Sequence, residues 1–229
     1  MDYKIIKVNN DAKFKVRSQY VIIPDSYIIE EIWSEKQYIK NGFNIKPKST
    51  VVDLGAHIGI FTVFASKLAY NGMVFSFEPN KENFYLLNEN IRLNKLNNVT
   101  SGRLGVLGKK QMRKLYIDSE NCAGHSFYKK TGKYEIIECV SLKDIFKANN
   151  IRRCDFLKID CEGAEYDILL NTPKIIFELI SKIVLEWHET GNPEYSINLL
   201  ERFLSKLGFK VDKLLINRGV SRGILYAKK

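Results

Sequence analysis

The sequence has little of what builds disulfide-stapled or zinc-stapled domains. It holds four cysteines among 229 residues. They are Cys122, Cys139, Cys154 and Cys161, with no CxxC pair and no neighbouring pair of histidines. We therefore predict neither a disulfide scaffold nor a structural zinc site. Reduced, partly buried thiols are expected instead.

Long apolar runs, repeats and low-complexity linkers are also missing. No stretch approaches the about 18 apolar residues that a membrane helix needs, and the opening Met1–Asn10 lacks the apolar core of a signal peptide. We expect no membrane span and a cytoplasmic location. The 45% hydrophobic and 12% aromatic content allows a sizeable core, which excludes a disordered chain.

Acidic residues are fewer than basic ones. Lysine and arginine number 36 against 26 aspartates and glutamates, for a net charge of +10. This charge favours approach to polyanions but does not establish nucleic-acid binding, because a lysine-rich solvated surface has the same composition.

Strand-like and helix-like segments alternate after residue 49, which is typical of a parallel α/β sheet. The predicted parallel strands are 50–55, 73–79, 99–107, 155–160 and 183–188. Two further strands around Asn217-Arg218-Gly219 form a hairpin with no helix between them. We predict a mostly parallel seven-stranded sheet that closes with an antiparallel C-terminal hairpin. Residues 1–48 are expected to form an N-terminal extension packed on a domain at 49–229.

A glycine turn follows the first parallel strand in "VVDLGAHIGIFT", residues 51–62. Asp53, Gly55 and Gly59 mark it, and His57 stands where a dinucleotide fingerprint would have its second glycine. A dinucleotide is therefore disfavoured. Glu78 ends the next strand, from which a carboxylate can accept hydrogen bonds from both ribose hydroxyls. The pair of features indicates a nucleoside without a pyrophosphate, whereas the turn alone could be a structural corner.

Five segments in order resemble one known family: "DLGAHIGIFT", "FEPN", "LNKLNNV", "VSLKDIF" and "LKIDCEGAEYDIL". They are similar to the FkbM family of class I S-adenosylmethionine-dependent methyltransferases. The resemblance runs from about residue 30 to 190 and implies a Rossmann-like, doubly wound fold. It also implies that the glycine turn surrounds the methionine end of the donor and that Glu78 holds its ribose. The predicted cofactor-binding residues are Asp53, Gly55, Ala56, His57, Gly59, Glu78, Pro79 and Asp160.

The predicted catalytic residues are Asp160, Glu162 and His188, which follow two neighbouring strands. By the resemblance, Asp160 lies nearest the methyl and amino groups of the donor. Glu162 could bind acceptor hydroxyls or orient its loop. His188 is a candidate general base because the pKa of histidine lies near neutrality, and a structural role at a strand end is the alternative. With Glu186 these side chains could hold a divalent ion, but we predict no metal.

The resemblance implies O-methylation of a hydroxyl on a small molecule or glycan. The alternative is a tRNA or rRNA methyltransferase whose basic pairs, such as Lys129-Lys130 and Arg152-Arg153, track phosphates. No "NPPY"-like tetrapeptide follows the fourth strand, so methylation of an exocyclic base amine is disfavoured. A donor-binding module without catalysis and a nicotinamide dehydrogenase are weaker alternatives. The loop at 121–133 could cover the acceptor, and the acceptor's identity and the oligomeric state stay open.

Overall fold

A computed structural model describes residues 2–9, 11–18, 24–40, 42–217 and 221–229, apart from the side chains of 215–217 and 221. The strands in chain order are β1 (Tyr3–Val8), β2 (Ala12–Arg17), β3 (Thr50–Leu54), β4 (Met73–Phe77), β5 (Val99–Gly102), β6 (Gly105–Val106), β7 (Gln111–Tyr116), β8 (Tyr134–Val140), β9 (Phe156–Ile159), β10 (Lys182–His188), β11 (Lys210–Asn217) and β12 (Ser221–Lys228). Arg218 and Gly219, in the predicted hairpin turn, lie outside the described residues.

The central sheet has seven strands in the order β11-β12-β10-β9-β3-β4-β5. Strands β10, β9, β3, β4 and β5 run parallel, while β12 pairs antiparallel with both β10 and β11. The predicted mostly parallel sheet with its antiparallel ending is confirmed. All four residues of β9 are buried, as expected for a central strand covered on both faces.

Within the described residues, seven α-helices connect and cover the strands. They are α1 (Asp25–Ile29), α2 (Ile60–Leu68), α3 (Lys81–Leu93), α4 (Leu142–Ala148), α5 (Glu165–Leu170), α6 (Lys174–Glu178) and α7 (Ile197–Lys206). The side chain of Asn80 caps α3 by accepting hydrogen bonds from two backbone amides, which satisfies donors that a helix start leaves free. Ser141 caps α4 in the same way. Among the helices of the described residues, none combines the length and apolarity needed to cross a membrane.

An insertion with its own sheet, in the order β6-β8-β7, lies between β5 and β9 in the chain. The single strand predicted at 99–107 is wrong, because β5 ends at Gly102 and Gly105–Val106 pairs with β8. Gly105 makes this pairing possible. A Cβ there would lie 2.6 Å from both Cys139 Sγ and Phe127 Cζ, so a larger residue would push β6 away from β8.

The N-terminal segment packs on one face of the central sheet. It contributes the β1-β2 hairpin, α1, a π-helical turn at Glu30–Ser34 and a 3-10 turn at Gln37–Ile39. Buried Phe14 and Ile32 share one apolar cluster with Phe61 of α2. This packing places Tyr38 over the carboxyl ends of the parallel strands. The division of the chain at residue 48 stays a prediction.

Candidate functional site

A pocket lies across the carboxyl ends of the parallel strands, where ligands bind in open α/β sheets. It opens to solvent and is lined by both polar and apolar side chains, as small-molecule sites are. The predicted site residues that line it are Gly55, Ala56, His57, Glu78, Pro79, Asp160 and Glu162. Asp53, Gly59 and His188 are not among the described residues of the lining.

The glycine turn is held by close packing on its neighbours. Gly55 has a φ of +72°, and a Cβ there would lie 1.7 Å from the carbonyl oxygen of Asp160, so only glycine lets the two loops touch. Gly59 has a φ of +85°, and its Cβ would meet Leu87 of α3 at 2.6 Å. Gly59 therefore serves the packing of α2 on α3, whereas Gly55 shapes the pocket itself.

Asp53 lies beneath the turn and acts on it through Lys158. The fully buried Asp53 accepts a hydrogen bond from Thr62 Oγ1 at 2.7 Å and lies 3.2 Å from Lys158 Nζ. Lys158 donates to the carbonyl oxygen of Gly55 at 2.7 Å. Burial disfavours a charged lysine, but Asp53 and Asp160 outweigh it and raise the Lys158 pKa. Asp53 thus holds a cation that anchors the turn.

Sequence reasoning did not single out Lys158. The available signal was a lysine inside the otherwise apolar strand "FLKI", since a lysine is almost never buried without a partner. That signal indicates a paired, buried lysine. It does not identify Asp53 as the partner, because Asp53 comes from another strand.

Glu78 faces the pocket with both carboxylate oxygens already fixed by backbone amides. Oε2 accepts from the His57 N–H at 2.8 Å and Oε1 from the Asn80 N–H at 2.9 Å. Burial raises the Glu78 pKa to about 7, against the lowering effect of these two hydrogen bonds. A carboxylate offers about four acceptor positions, and the Asn83 side chain also hydrogen-bonds to Glu78. One acceptor position is therefore left for a ribose hydroxyl.

His57 adopts a φ of +52° in the turn, and its backbone rather than its ring meets Glu78. Both ring nitrogens are buried without a hydrogen-bond partner among the described residues. Asp25 of α1 lies 3.7 Å from Nε2. Burial lowers the His57 pKa to about 4, so the ring is neutral near pH 7.

The other end of the pocket collects carboxylates around two strand ends. Tyr38 donates a hydrogen bond to Asp160 Oδ2 at 3.1 Å and lies 3.4 Å from Glu186 Oε2. Arg222 donates to Glu186 Oε1 at 3.1 Å. The N-terminal segment and β12 thus both reach the strand ends and hold two of the carboxylates in place.

His188 stands behind this end, within reach of three carboxylates. Its Nδ1 lies 3.1 Å from Glu165 Oε1, and its Nε2 lies 3.7 Å from Glu162 and 3.8 Å from Glu186. Burial opposes protonation, but these negative charges raise the His188 pKa well above its usual value. The expectation of a pKa near neutrality is wrong. A protonated imidazole has to lose its proton before it can act as a base, and a catalytic role for His188 stays a prediction.

Two of the carboxyls have raised pKa values and one has a lowered value. Burial raises the pKa of Glu162 to about 7, and burial with the neighbouring Asp160 raises that of Glu186 to about 7. Burial alone would raise the pKa of Asp160 as well, but the positive charges of Lys158 and His188 hold it below its usual range. Asp160 is therefore the stable anion, while Glu162 and Glu186 titrate near neutrality.

Glu162 is held in a strained backbone conformation, with a φ of +50°, which costs a non-glycine residue about 1 kcal/mol or more. The surrounding loop fixes it. Ser126 donates to the Glu162 carbonyl oxygen at 2.7 Å, and the buried carboxylate of Glu165 accepts from the backbone N–H groups of Cys161 and Gly163. Glu165 thus fixes the backbone of this loop. Within the described residues, the Glu162 carboxylate accepts no hydrogen bond.

The insertion also forms one wall of the pocket. Asn121, His125 and Phe127 line it from the loop between β7 and β8, next to Pro79 and Leu104, at the β5 side of the sheet. Ser126 of the same loop donates a hydrogen bond to the Glu162 carbonyl oxygen at 2.7 Å, so the loop also reaches the β9 side of the pocket. That it covers the acceptor stays a prediction.

Two groups of side chains have the spacing of metal ligands. Ligand atoms of Asp160, Glu162 and His188 lie within 4.8 Å of one another. In this group Lys158 already lies 3.4 Å from Asp160, and His188 would have to lose its proton. The second group is Asp25 with His57 and Cys122. Its carboxylate, Asp25, already forms an ion pair with the guanidinium of Arg17 at 3.0 Å. The use of no metal stays a prediction, and unchanged turnover after chelation is its test.

The pocket suits a cationic nucleoside donor in charge as well as in shape. Its ionisable lining carries five carboxyl groups, Glu31, Glu78, Asp160, Glu162 and Glu186, against two cations, Lys158 and Arg222. S-adenosylmethionine carries a sulfonium and an ammonium against one carboxylate, so an acidic lining favours it. The ribose acceptor of Glu78 adds a specific fit.

Comparison with known proteins places the chain in a family. The family model described as "Methyltransferase FkbM domain" matches residues 53–211. Methyltransferase sdnD of Sordaria araneosa is 24% identical, over 86% of this chain and 87% of that protein. The 31-O-demethyl-FK506 methyltransferase FkbM of Streptomyces tacrolimicus is also 24% identical, over 71% and 74% of the two chains.

Solved structures share the fold at low identity. Methyltransferase FkbM from Methylobacillus flagellatus KT superposes with a TM-score of 0.60 at 15% identity. The match covers 87% of this chain and 47% of that one. TYW2 from M. jannaschii, crystallised with AdoMet, has a TM-score of 0.52 at 20% identity, over 99% and 85% of the two chains. The chain belongs to the FkbM methyltransferase family, and it is a methyltransferase that uses S-adenosylmethionine.

Proposed function

We propose that the protein methylates a hydroxyl group on an uncharged small molecule or glycan, with Glu162 as the general base. The observation that carries the proposal is the carboxyl of Glu162. It lines the pocket, has a pKa of about 7 and accepts no hydrogen bond among the described residues, with His188 Nε2 at 3.7 Å. A hydroxyl acceptor must lose a proton during methyl transfer, and a base with a pKa near the working pH removes it most efficiently.

The bound donor supplies an electrophilic methyl group on its sulfonium. The residues of the chain position it and move the proton. Glu78 and the glycine turn hold the nucleoside, while Asp160 stays anionic and faces the cationic end of the donor. Glu162 accepts the hydroxyl proton. The positive charge of His188, 3.7 Å away, lowers the Glu162 pKa and so opposes the effect of burial.

Glu186 has the same pKa but is a weaker candidate for the base. Its two oxygens are already approached by Arg222 at 3.1 Å and by the Tyr38 hydroxyl at 3.4 Å. These contacts suit a carboxylate that orients the acceptor or the pocket wall. We assign it that positioning role.

Relatives support the hydroxyl as the acceptor group. The name of the Streptomyces tacrolimicus relative specifies a demethylated oxygen on FK506 as its acceptor. We extend only the chemistry, transfer to oxygen, to this chain. The acceptor itself is not implied, because acceptor surfaces vary while the donor site is retained.

RNA remains the alternative acceptor. The net charge of +10 favours it, but the acidic lining of the pocket repels phosphate groups near the reacting centre. Several basic side chains of the proposed track are also paired locally: Lys129 with Asp118, and Arg153 with Asp155. These observations favour an uncharged acceptor.

The test is to incubate the protein with methyl-labelled S-adenosylmethionine and a fractionated cell extract. We expect nuclease-resistant label in small molecules or glycans, released by cleavage of an ether rather than an N-methyl bond. The Glu162→Gln variant in the same extract should give no label. Nuclease-sensitive label, with binding that weakens steeply as salt is raised, would replace the proposal by the RNA alternative.

We also propose a cytoplasmic location, in keeping with the four free cysteines.

A further inference from the structure

The donor pocket continues past Glu78 towards the edge strand β5. The sheet order places β4 between β3 and β5, with β9 on the far side of β3. With the ribose at Glu78 and the methyl group near Asp160, the nucleobase of the donor falls on the β5 side. Neighbouring strands are about 4.8 Å apart, so the base lies about one strand beyond Glu78.

The nucleobase end is walled by the insertion rather than by the central sheet alone. Its apolar lining comes from Pro79, Leu104, Leu115 and Phe127, and its polar lining includes Asn121 and His125. Apolar surfaces suit the two faces of a flat ring, while the polar groups can meet its edge. Nothing in the motifs of the sequence connects this loop to the donor.

His125 is fixed in one tautomer. Its Nδ1 accepts a hydrogen bond from the backbone N–H of Asp118 at 3.1 Å, so Nδ1 carries no proton. Burial and the nearby Arg17 lower the His125 pKa to about 4, and the ring is neutral near pH 7. The single ring proton therefore sits on Nε2, which has no hydrogen-bond partner among the described residues.

We propose that His125 donates a hydrogen bond from Nε2–H to a ring nitrogen of the donor's adenine. Adenine presents N1, N3 and N7 as acceptors, and a neutral Nε2–H is a donor only, so the two match. The insertion loop then belongs to the donor site, and His125 helps to select adenine. The inference concerns the donor and is independent of which acceptor is methylated.

The test measures binding of S-adenosylhomocysteine and its 1-deaza, 3-deaza and 7-deaza analogues by calorimetry, with no acceptor present. Each analogue replaces one ring nitrogen by C–H. In the wild-type protein we expect one of the three to bind about three- to tenfold more weakly than the parent, the size of one neutral hydrogen bond. The other two should bind within about twofold of the parent.

Two variants separate the hydrogen bond from loop structure. His125→Asn keeps an acceptor near the Nδ1 position for the Asp118 N–H but removes the Nε2–H. It should bind the parent about three- to tenfold more weakly and no longer distinguish the sensitive deaza analogue. His125→Gln places an amide N–H near the Nε2 position and should recover part of the discrimination. The melting temperatures of both ligand-free variants report whether the loop is intact.

The proposal is overturned by any of three results. The first is that all three analogues bind the wild-type protein as tightly as the parent. The second is that the sensitivity to one analogue persists unchanged in His125→Asn. The third is that S-adenosylhomocysteine does not bind. The first result needs no variant, so it decides the question even where His125→Asn fails to fold. Failure of the hydroxyl-methylation proposal would leave all these binding constants as they are.

Discussion

Ser126 and Glu162 are joined across the pocket by a hydrogen bond of 2.7 Å from Ser126 Oγ to the Glu162 carbonyl oxygen. Ser126 belongs to the insertion loop, one residue after His125, whereas Glu162 belongs to the loop after β9. The bond ties the wall at the nucleobase end to the residue assigned as the base. It also stabilises the left-handed backbone of Glu162, which is unfavourable without support.

Ser126→Ala should lower the rate of methyl transfer about fivefold or more, because it removes the bond to the Glu162 carbonyl oxygen, worth about 1 kcal/mol. It also removes the acceptor of the Tyr128 and Lys129 backbone N–H groups. Donor affinity should change less than twofold. Initial rates with the labelled acceptor fraction, together with calorimetry of S-adenosylhomocysteine, measure the two effects. Ser119→Ala, at an exposed position of the same loop, is the control. Equal rates in the two variants would contradict the coupling.

The pH dependence of turnover should report the Glu162 carboxyl. A base with a pKa of about 7 is protonated and inactive below that pH and ionised above it, so the rate should rise through about pH 7 and then level off. Glu162→Gln should lose about 10²- to 10⁴-fold in turnover, the usual range for a general base, while S-adenosylhomocysteine still binds. A Glu162→Gln protein that keeps the wild-type profile would show that another group takes the proton.

His188→Gln should move the pH profile to higher pH. The positive charge of His188 lowers the pKa values of Asp160, Glu162 and Glu186 and so opposes the effect of burial. Without this charge, all three pKa values should rise. Turnover at pH 7 should fall but recover at higher pH, and donor affinity should be largely retained. If His188 were itself the base, turnover would stay low at every pH.

Glu78→Ala should weaken donor binding by about 1 to 3 kcal/mol, the range for a lost charge-assisted hydrogen-bond partner. Calorimetry with S-adenosylhomocysteine measures the loss. Glu82→Ala, a partly exposed acidic residue in the first turn of α3, serves as the control for charge alone. An unchanged dissociation constant in Glu78→Ala would remove the ribose assignment.

The position of the donor site could be predicted because parallel strands bring their carboxyl ends together. The glycine turn, Glu78 and Asp160 each follow such a strand, so their separation in sequence did not matter. Gly55 and Glu78 line the pocket for this reason. The roles of Asp53 and Gly59 could not be predicted from the motif. Neither lines the pocket: Asp53 pairs with Lys158 and Gly59 packs against Leu87.

The protonation of His188 could not be predicted, because its pKa is set by carboxylates from a loop, a helix and a strand. The sequence indicates only the intrinsic pKa of a histidine. In the fold, His188 lies next to Glu162, Glu165 and Glu186, whose negative charges raise its pKa. The insertion loop was predicted to be irregular and able to cover the acceptor, but not to line the donor pocket. Which wall of the pocket it forms depends on the pairing of β6 with β8, and a two-residue strand leaves no periodic pattern.

Lys158→Met should lower the free energy of unfolding by about 3 to 5 kcal/mol, because it leaves the fully buried Asp53 as an unpaired charge. Asp53→Asn alone should cost less, since Lys158 keeps Asp160 at 3.4 Å and the Gly55 carbonyl. The double variant Asp53→Asn with Lys158→Met removes both charges and should regain much of the stability lost in Lys158→Met. Urea unfolding of the three variants and the wild type gives the coupling energy. A double variant no more stable than Lys158→Met would mean that Lys158 stabilises the protein through the Gly55 carbonyl and Asp160 instead. Donor affinity should then fall together with stability in every variant that lacks Lys158.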